Sequence, residues 1–200
     1  SWDGINFTNY FRKDSLAENR ITASFKDSKG HLWFGHWGGS ITKFDVNTNQ
    51  FVSIKIEKFS SYQEVSSIIE DTIGGNIIFS TLGSGLFVYN VSKNEVKRYD
   101  ISAQNERSRF ITSILLNEQG TLFVGTEKIG LFSFNLKDLL DEKAEVFNLT
   151  EESGLSGDHI TALIEYDNEL WVGTNGGVSF WEIEDNEKVT SGKGRSSINI

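Results

Sequence analysis

The chain has 200 residues, 38% of them hydrophobic and 12% aromatic, enough to bury a sizeable core, and nothing in it approaches a membrane-spanning run. The balance of 19 basic against 28 acidic residues gives a net charge of −9, which argues against nonspecific binding to nucleic acid and against direct membrane insertion. Cysteine is absent, which excludes disulfides, thiolate metal sites and a cysteine nucleophile.

Taken in chain order, residues 5–11 read as an outer strand with no partner strands before it. Residues 21–45 then open a pattern that returns at 65–90, 111–135 and 160–182: an apolar triplet, a polar turn, an apolar-aromatic run, a turn ending in Gly, and a further apolar-aromatic run. In the first copy it predicts strands over 21–25, 32–35, 40–45 and 51–56, and in the third over 111–115, 121–126, 130–135 and 145–149. These runs are rich in Phe, Val, Ile and Trp and bounded by Gly, Asn, Asp or Ser, as strands of an antiparallel meander are. Residues 136–144 come nearest to a helical period and read as an extended loop holding up to one helical turn. Glu187 to Thr190 offers a fourth strand to the last copy.

The turns support the same reading. Gly39, Gly85, Gly130 and Gly177 each stand just before a third strand, where a tight connection calls for positive φ. The fourth copy lacks a Gly between its first two strands, and Asn168 is expected to substitute there. The second strands Leu32-Trp33-Phe34-Gly35-His36, Ile77-Ile78-Phe79-Ser80-Thr81, Leu122-Phe123-Val124-Gly125-Thr126 and Leu170-Trp171-Val172-Gly173-Thr174 repeat at steps of 45, 45 and 48 residues. A period of about 40 to 50 residues built from short strands is that of a β-propeller blade. The expected fold is all-β, with about four four-stranded antiparallel blades over 21–56, 65–101, 111–150 and 160–190. The propeller segment is expected over 1–186, with 187–200 as a last strand or flexible tail. Because the chain opens at Ser1 in the midst of the pattern and has no Met, it reads as part of a longer one.

Two stretches carry a family likeness: Asn19-Arg20-Ile21-Thr22-Ala23-Ser24-Phe25 through Gly30-His31-Leu32-Trp33-Phe34-Gly35, and Gly154-Leu155-Ser156-Gly157-Asp158-His159-Ile160-Thr161 leading to Leu170-Trp171-Val172-Gly173-Thr174. They resemble the two-component regulator propeller repeat. The resemblance implies the extracytoplasmic, periplasmic sensor region of a hybrid two-component histidine kinase of Bacteroidetes type, many of which respond to oligosaccharides. It implies a noncatalytic sensing role without cofactors, with any kinase elsewhere in the parent chain, and it does not fix a ligand. WD repeats are a poorer match, because no third strand ends in Trp-Asp. Asp27 is read as turn chemistry rather than as an Asp-box residue.

Rings of the resembled family commonly close with seven blades, about 315 residues at this period. Three arrangements follow: a segment of a larger ring, which is preferred; association with a second copy; or closure of four blades, with residues 5–11 pairing beside residues 178–182 to protect the edge.

Most aromatics are assigned to the core, including Trp33, Phe123 and Trp171 at equivalent blade positions and Phe44, Tyr89, Phe134 and Trp181. Trp37 differs, lying in the turn His36-Trp37-Gly38-Gly39, and is a candidate platform for stacking a sugar. In a propeller the turns between second and third strands share one face with the connections between blades. That face collects Arg20, His36, Trp37, Glu64, Arg109, Lys128, His159 and Asn175, charged and planar groups suited to hydroxyls and carboxylates. Taken with what the resemblance implies, an oligosaccharide or related extracellular molecule is the expected ligand, with other blades or a second copy of the chain as further partners. His31, His36 and His159 show no metal-binding spacing, and there is no nucleophile elbow or phosphate loop. A protein-docking scaffold is the alternative, and a lyase or glycosidase relying on Glu64 or His159 the weaker one.

Overall fold

The computed structural model describes residues 8–54, 56, 63–102 and 105–183. Its strands form meanders in chain order. The first blade comprises β1 (Ile21–Lys26), β2 (Leu32–His36), β3 (Ile41–Asp45) and β4 (Gln50–Ile54). The second is β5 (Glu64–Asp71), β6 (Asn76–Leu82), β7 (Gly85–Asn90) and β8 (Glu95–Tyr99). The third is β9 (Ile111–Leu116), β10 (Thr121–Thr126), β11 (Leu131–Asn135) and β12 (Phe147–Leu149), with a short helix, α1 (Leu136–Leu140), between its last two strands. The fourth has three strands among the described residues, β13 (Ile160–Tyr166), β14 (Glu169–Thr174) and β15 (Gly177–Glu182). Glu187 to Thr190 lies outside the described residues.

The alternation of side chains along each second strand builds the core. Trp33 and Phe123, both 1% exposed, point to the blade that follows, whereas Leu122, Val124, Leu170 and Val172 point to the blade before. Three apolar wedges result, one at each blade boundary, with Trp33 meeting the Tyr89 ring edge-on at 6.0 Å across the first of them. Inner strands touch in the sequence β1–β5–β9–β13, the arc of a propeller.

The turn chemistry follows expectation in detail. Gly39, Gly85, Gly130 and Gly177 take φ of 85°, 88°, 78° and 140°, and Asn168 adopts 62° beside Asp167 at 52°, a two-residue hairpin turn. Asp27 is buried and holds its own turn, its carboxylate accepting from the Lys29 and His31 amides at 3.0 and 2.8 Å and from the Trp33 indole at 2.8 Å.

Two expectations need correction. The outer strand expected over 5–11 is not formed by residues 8–11, which lie apart from the pairing that closure of four blades, the less favoured arrangement, would need: Tyr10 packs edge-on against Phe51 of β4 at 5.0 Å, far along the chain from β15. Residues 5–7 lie outside the described residues. Trp171 is also less enclosed than its counterparts, half-buried and stacked on Phe180 at 4.9 Å, because no blade follows β13–β15 among the described residues.

Candidate functional site

The predicted loop face exists and is held together by backbone bonds of two recurring kinds. Within a blade, the residue after the second strand donates to the residue before the first: Trp37 to Arg20 (3.0 Å), Glu127 to Phe110 (2.9 Å) and Asn175 to His159 (3.0 Å). Between blades, the same turn donates to the next lead-in: Gly38 to Gln63 (2.6 Å), Gly83 to Arg109 (2.9 Å) and Gly130 to Asp158 (3.0 Å). The turns of the first three blades are thus each tied to the blade that follows, whereas the turn holding Asn175 is tied within its own blade.

The closest grouping is on the first two blades. The Arg20 guanidinium lies over the Trp37 ring, 4.0 Å from its centroid, and Trp37 forms a β-bridge with Glu64. A cation stacked on an indole therefore lies at the backbone position that pairs with Glu64. Arg109 is half-buried on the neighbouring boundary, with Nε 3.9 Å from Asp100 Oδ1, an oxygen that also accepts from Arg98 Nη2 at 2.5 Å. Lys128 and Asn175 are exposed at the tips of their turns, and His159 is half-buried. The face is shared, but the third- and fourth-blade residues lie a blade or more from the Arg20–Trp37 patch.

His36 departs from its assignment. It is fully buried and hydrogen-bonded through Nε2 to Thr42 Oγ1 at 2.8 Å, beneath the face rather than on it. The equivalent positions hold Thr81, Thr126 and Thr174, whose hydroxyls close the turn onto the carbonyls of Gly85, Gly130 and Gly177. His36 has replaced that threonine, and burial lowers its pKa, opposed by the carbonyl and carboxylate of Glu18. Arg98 and Asp100 were missed by sequence reasoning. They end an outer strand, and only the fold brings that strand's end beside Arg109.

Among the described residues no group of three or more His, Asp or Glu side chains could hold a metal ion. A groove lined by Thr121, Ser133, Asn135, Asp138 and Glu145 at the opposite end of the third blade encloses about 80 Å³, far below the roughly 300–1,000 Å³ of ligand pockets. Among the described residues no helix is long and apolar enough to cross a membrane.

Residues 15–38 and 154–176 match the two-component regulator propeller model. Both matched stretches begin at a left-handed cap closing a 3-10 turn, Ser15 at φ 78° and Gly154 at φ 113°, and run through the first two strands of a blade. At those two stretches the chain is similar to the two-component regulator propeller. Solved structures similar to these repeats include the extracellular domain assigned to the hybrid two component system BT3049 of B. thetaiotaomicron, at 20% identity and a TM-score of 0.70, covering 93% of this chain and 27% of that one. The extracellular domain assigned to the one component system BT4673 of the same organism aligns at 22% identity and a TM-score of 0.67, covering 80% of this chain and 23% of that one. The chain thus spans about a quarter of the length of these domains. A chain of the mitotic checkpoint complex reaches a TM-score of 0.61 at 10% identity, covering 82% of this chain and 46% of that one, so the architecture alone assigns no activity. No curated protein matches the sequence.

Proposed function

We propose that this chain is a noncatalytic sensor segment of a two-component signalling protein, acting outside the cytoplasm, and that its loop face takes an oligosaccharide or a related extracellular molecule. The observation that carries this reading is the Arg20–Trp37 pair, an indole and a guanidinium in contact on a face of stitched turns, with Trp37 bridged to Glu64 through the backbone. An indole packs against the C–H face of a sugar ring, and an Arg fork pairs with hydroxyls or a uronate carboxylate. Because the repeats match a sensor family and the similar solved domains are extracellular, the ligand is sought among extracellular glycans.

The signal is a shift in population: a ligand gripping turns of adjacent blades favours one inter-blade arrangement over another by its difference in affinity for the two. Thermal melts against plant, mucin and glycosaminoglycan oligosaccharides test the reading, since ligand at about 100 times its Kd adds roughly 2.7 kcal/mol to the folded state. One glycan class should raise the midpoint, and Trp37→Ala or Arg20→Ala should abolish that rise while leaving the ligand-free melt in place. Melts unmoved by the whole panel would refute it in favour of a protein-docking scaffold, the reading that the uncovered apolar face of the fourth blade favours.

A further inference from the structure

At the end opposite the loop face, the first and third blades share one backbone scheme and fill it differently. The His31 amide donates to Asp27 Oδ1 at 2.8 Å and the Thr121 amide to Asn117 Oδ1 at 2.7 Å, so His31 and Thr121 hold one position. Lys43 lies opposite Trp33 and Ser133 opposite Phe123, which makes Lys43 and Ser133 counterparts, and with them Asp45 and Asn135. In the first blade these positions form a closed ionic cluster: Lys43 Nζ donates to Asp45 Oδ2 at 2.9 Å, and His31 Nδ1 lies 3.6 Å from Asp45 Oδ1. An ammonium therefore sits on the sheet there, held by the carboxylate beside it.

The third blade lacks that ammonium. Serine in place of lysine removes the cation and most of the side chain's length, and here runs the groove of about 80 Å³ lined by Thr121, Ser133, Asn135, Asp138 and Glu145. Ser133 is only 5% exposed, lines the groove, and its hydroxyl makes no hydrogen bond with any described residue. Carboxylates come to the groove from a new source. The connection between the last two strands covers residues 46–49 in the first blade but 136–146 in the third, and it carries Asp138 on α1 and Glu145 ahead of β12. Asn135 fixes the first of these, its side chain accepting from the Lys137 and Asp138 amides at 3.0 and 3.3 Å. Lys143 is divided between Asp138 at 3.5 Å and Asp141 at 3.1 Å, and Glu145 has no ion pair among the described residues. Charge is balanced in the first cluster, whereas the third is short of a cation.

We propose that the groove of the third blade binds a calcium ion, standing where the Lys43 ammonium stands in the first blade. The groups able to bind it offer oxygen: the Asp138 and Glu145 carboxylates and the Ser133 and Thr121 hydroxyls, with water completing the shell. Such a set suits calcium, which takes about six to eight oxygens in flexible geometry. Magnesium demands a near-ideal octahedron, and zinc prefers nitrogen and sulfur. The volume admits an ion with its water and excludes a sugar ring. Once bound, the ion ties the 136–146 connection to the sheet beneath it.

Thermal melts of the chelator-treated chain, with calcium chloride as the sole addition at constant ionic strength, test this. Extracellular calcium modules have a Kd of about 0.1–1 mM, so about 10 mM calcium should raise the midpoint by roughly 3–10 °C, and magnesium by much less. Asp138→Asn and Glu145→Gln should each cut the rise severalfold, and Ser133→Lys, which returns the ammonium to the groove, should abolish it. Glu95→Gln, an exposed carboxylate on the second blade, should respond as wild type does. Calorimetric titration at fixed temperature reads the same losses where a substitution lowers the melt itself. A wild type that calcium leaves unmoved, an equal response to magnesium, or carboxylate and lysine variants that respond as fully as wild type would overturn the proposal. Glycan binding at the Arg20–Trp37 pair predicts none of these losses, so either reading can fail alone.

Discussion

Single residues in this chain do work that their type alone does not announce. His36 stands where the other blades place a threonine, and its burial lowers the pKa of the imidazole, disfavouring its charged form in the folded protein. The unfolded chain takes up the proton near the ordinary value of about 6.5. Between that value and the lowered folded one the unfolded state binds more protons, so stability falls as pH drops through this window. Urea titrations at pH 7.5 and 5.5 should show a smaller acid loss for His36→Thr than for wild type; equal losses would place the acid sensitivity elsewhere. Asp27 is the second case. Removing its carboxylate leaves two amides and the Trp33 indole without their acceptor, and buried donors so stranded cost about 1–3 kcal/mol. Asp27→Ala should therefore lower the melting midpoint by several degrees and shift tryptophan emission to the red. An unchanged midpoint would mean that water replaces all three bonds.

At the level of the element, the boundary glycines separate what a strand requires from what its neighbour requires. Gly125→Val must push Ile160 aside, an overpacking that costs about 1–3 kcal/mol, and a midpoint shift of about 2–4 °C per kcal/mol is expected in a domain of this size. The same substitution at Gly173 meets only atoms of its own blade and should leave the monomer's melt nearly unmoved. Differential scanning calorimetry of the pair decides it, and an equal loss in both would mean that the glycines serve strand geometry instead. The strands and their turns were legible beforehand because period-2 alternation and positive-φ positions are local properties. Boundaries moved by only a residue or two, as with β12, three residues long where five were expected. The helical turn at α1 was visible for the same reason, since Asn135 caps it through the Lys137 and Asp138 amides.

For the molecule as a whole, charge and uncovered apolar surface act in opposition. Two copies each carrying a net charge of −9 repel one another across a Debye length of about 10 Å at 0.1 M salt. Raising salt from about 0.01 to 0.3 M screens that repulsion, so any self-association of the purified chain should strengthen with salt, as sedimentation would record; weakening would point to a contact made by ion pairs. Of the candidate binding residues, Arg20, Trp37 and Glu64 converge as a loop-face argument anticipates, while His36 sinks beneath them. That difference was illegible, because both His36 and Trp37 belong to one polar-looking turn, and alternation at the end of β2 alone decides which of them faces inward.

The sequence by itself determined the blades: their strand order and turn conformations, which follow from patterns within about ten residues, the period at which those patterns return, and the wedge-filling Trp33 and Phe123, though not the half-buried Trp171. It also determined that Asp27 serves a turn. Only the tertiary structure decided which contacts join residues far apart in the chain. It paired Arg98 and Arg109 on one carboxylate, set Tyr10 against Phe51 rather than beside the fourth blade, and, among the described residues, gave Ile21 and Gly173 contacts within their own blades alone. The physical reason is that a repeat encodes its own hydrogen bonding locally, whereas burial of its two faces depends on what stands on either side.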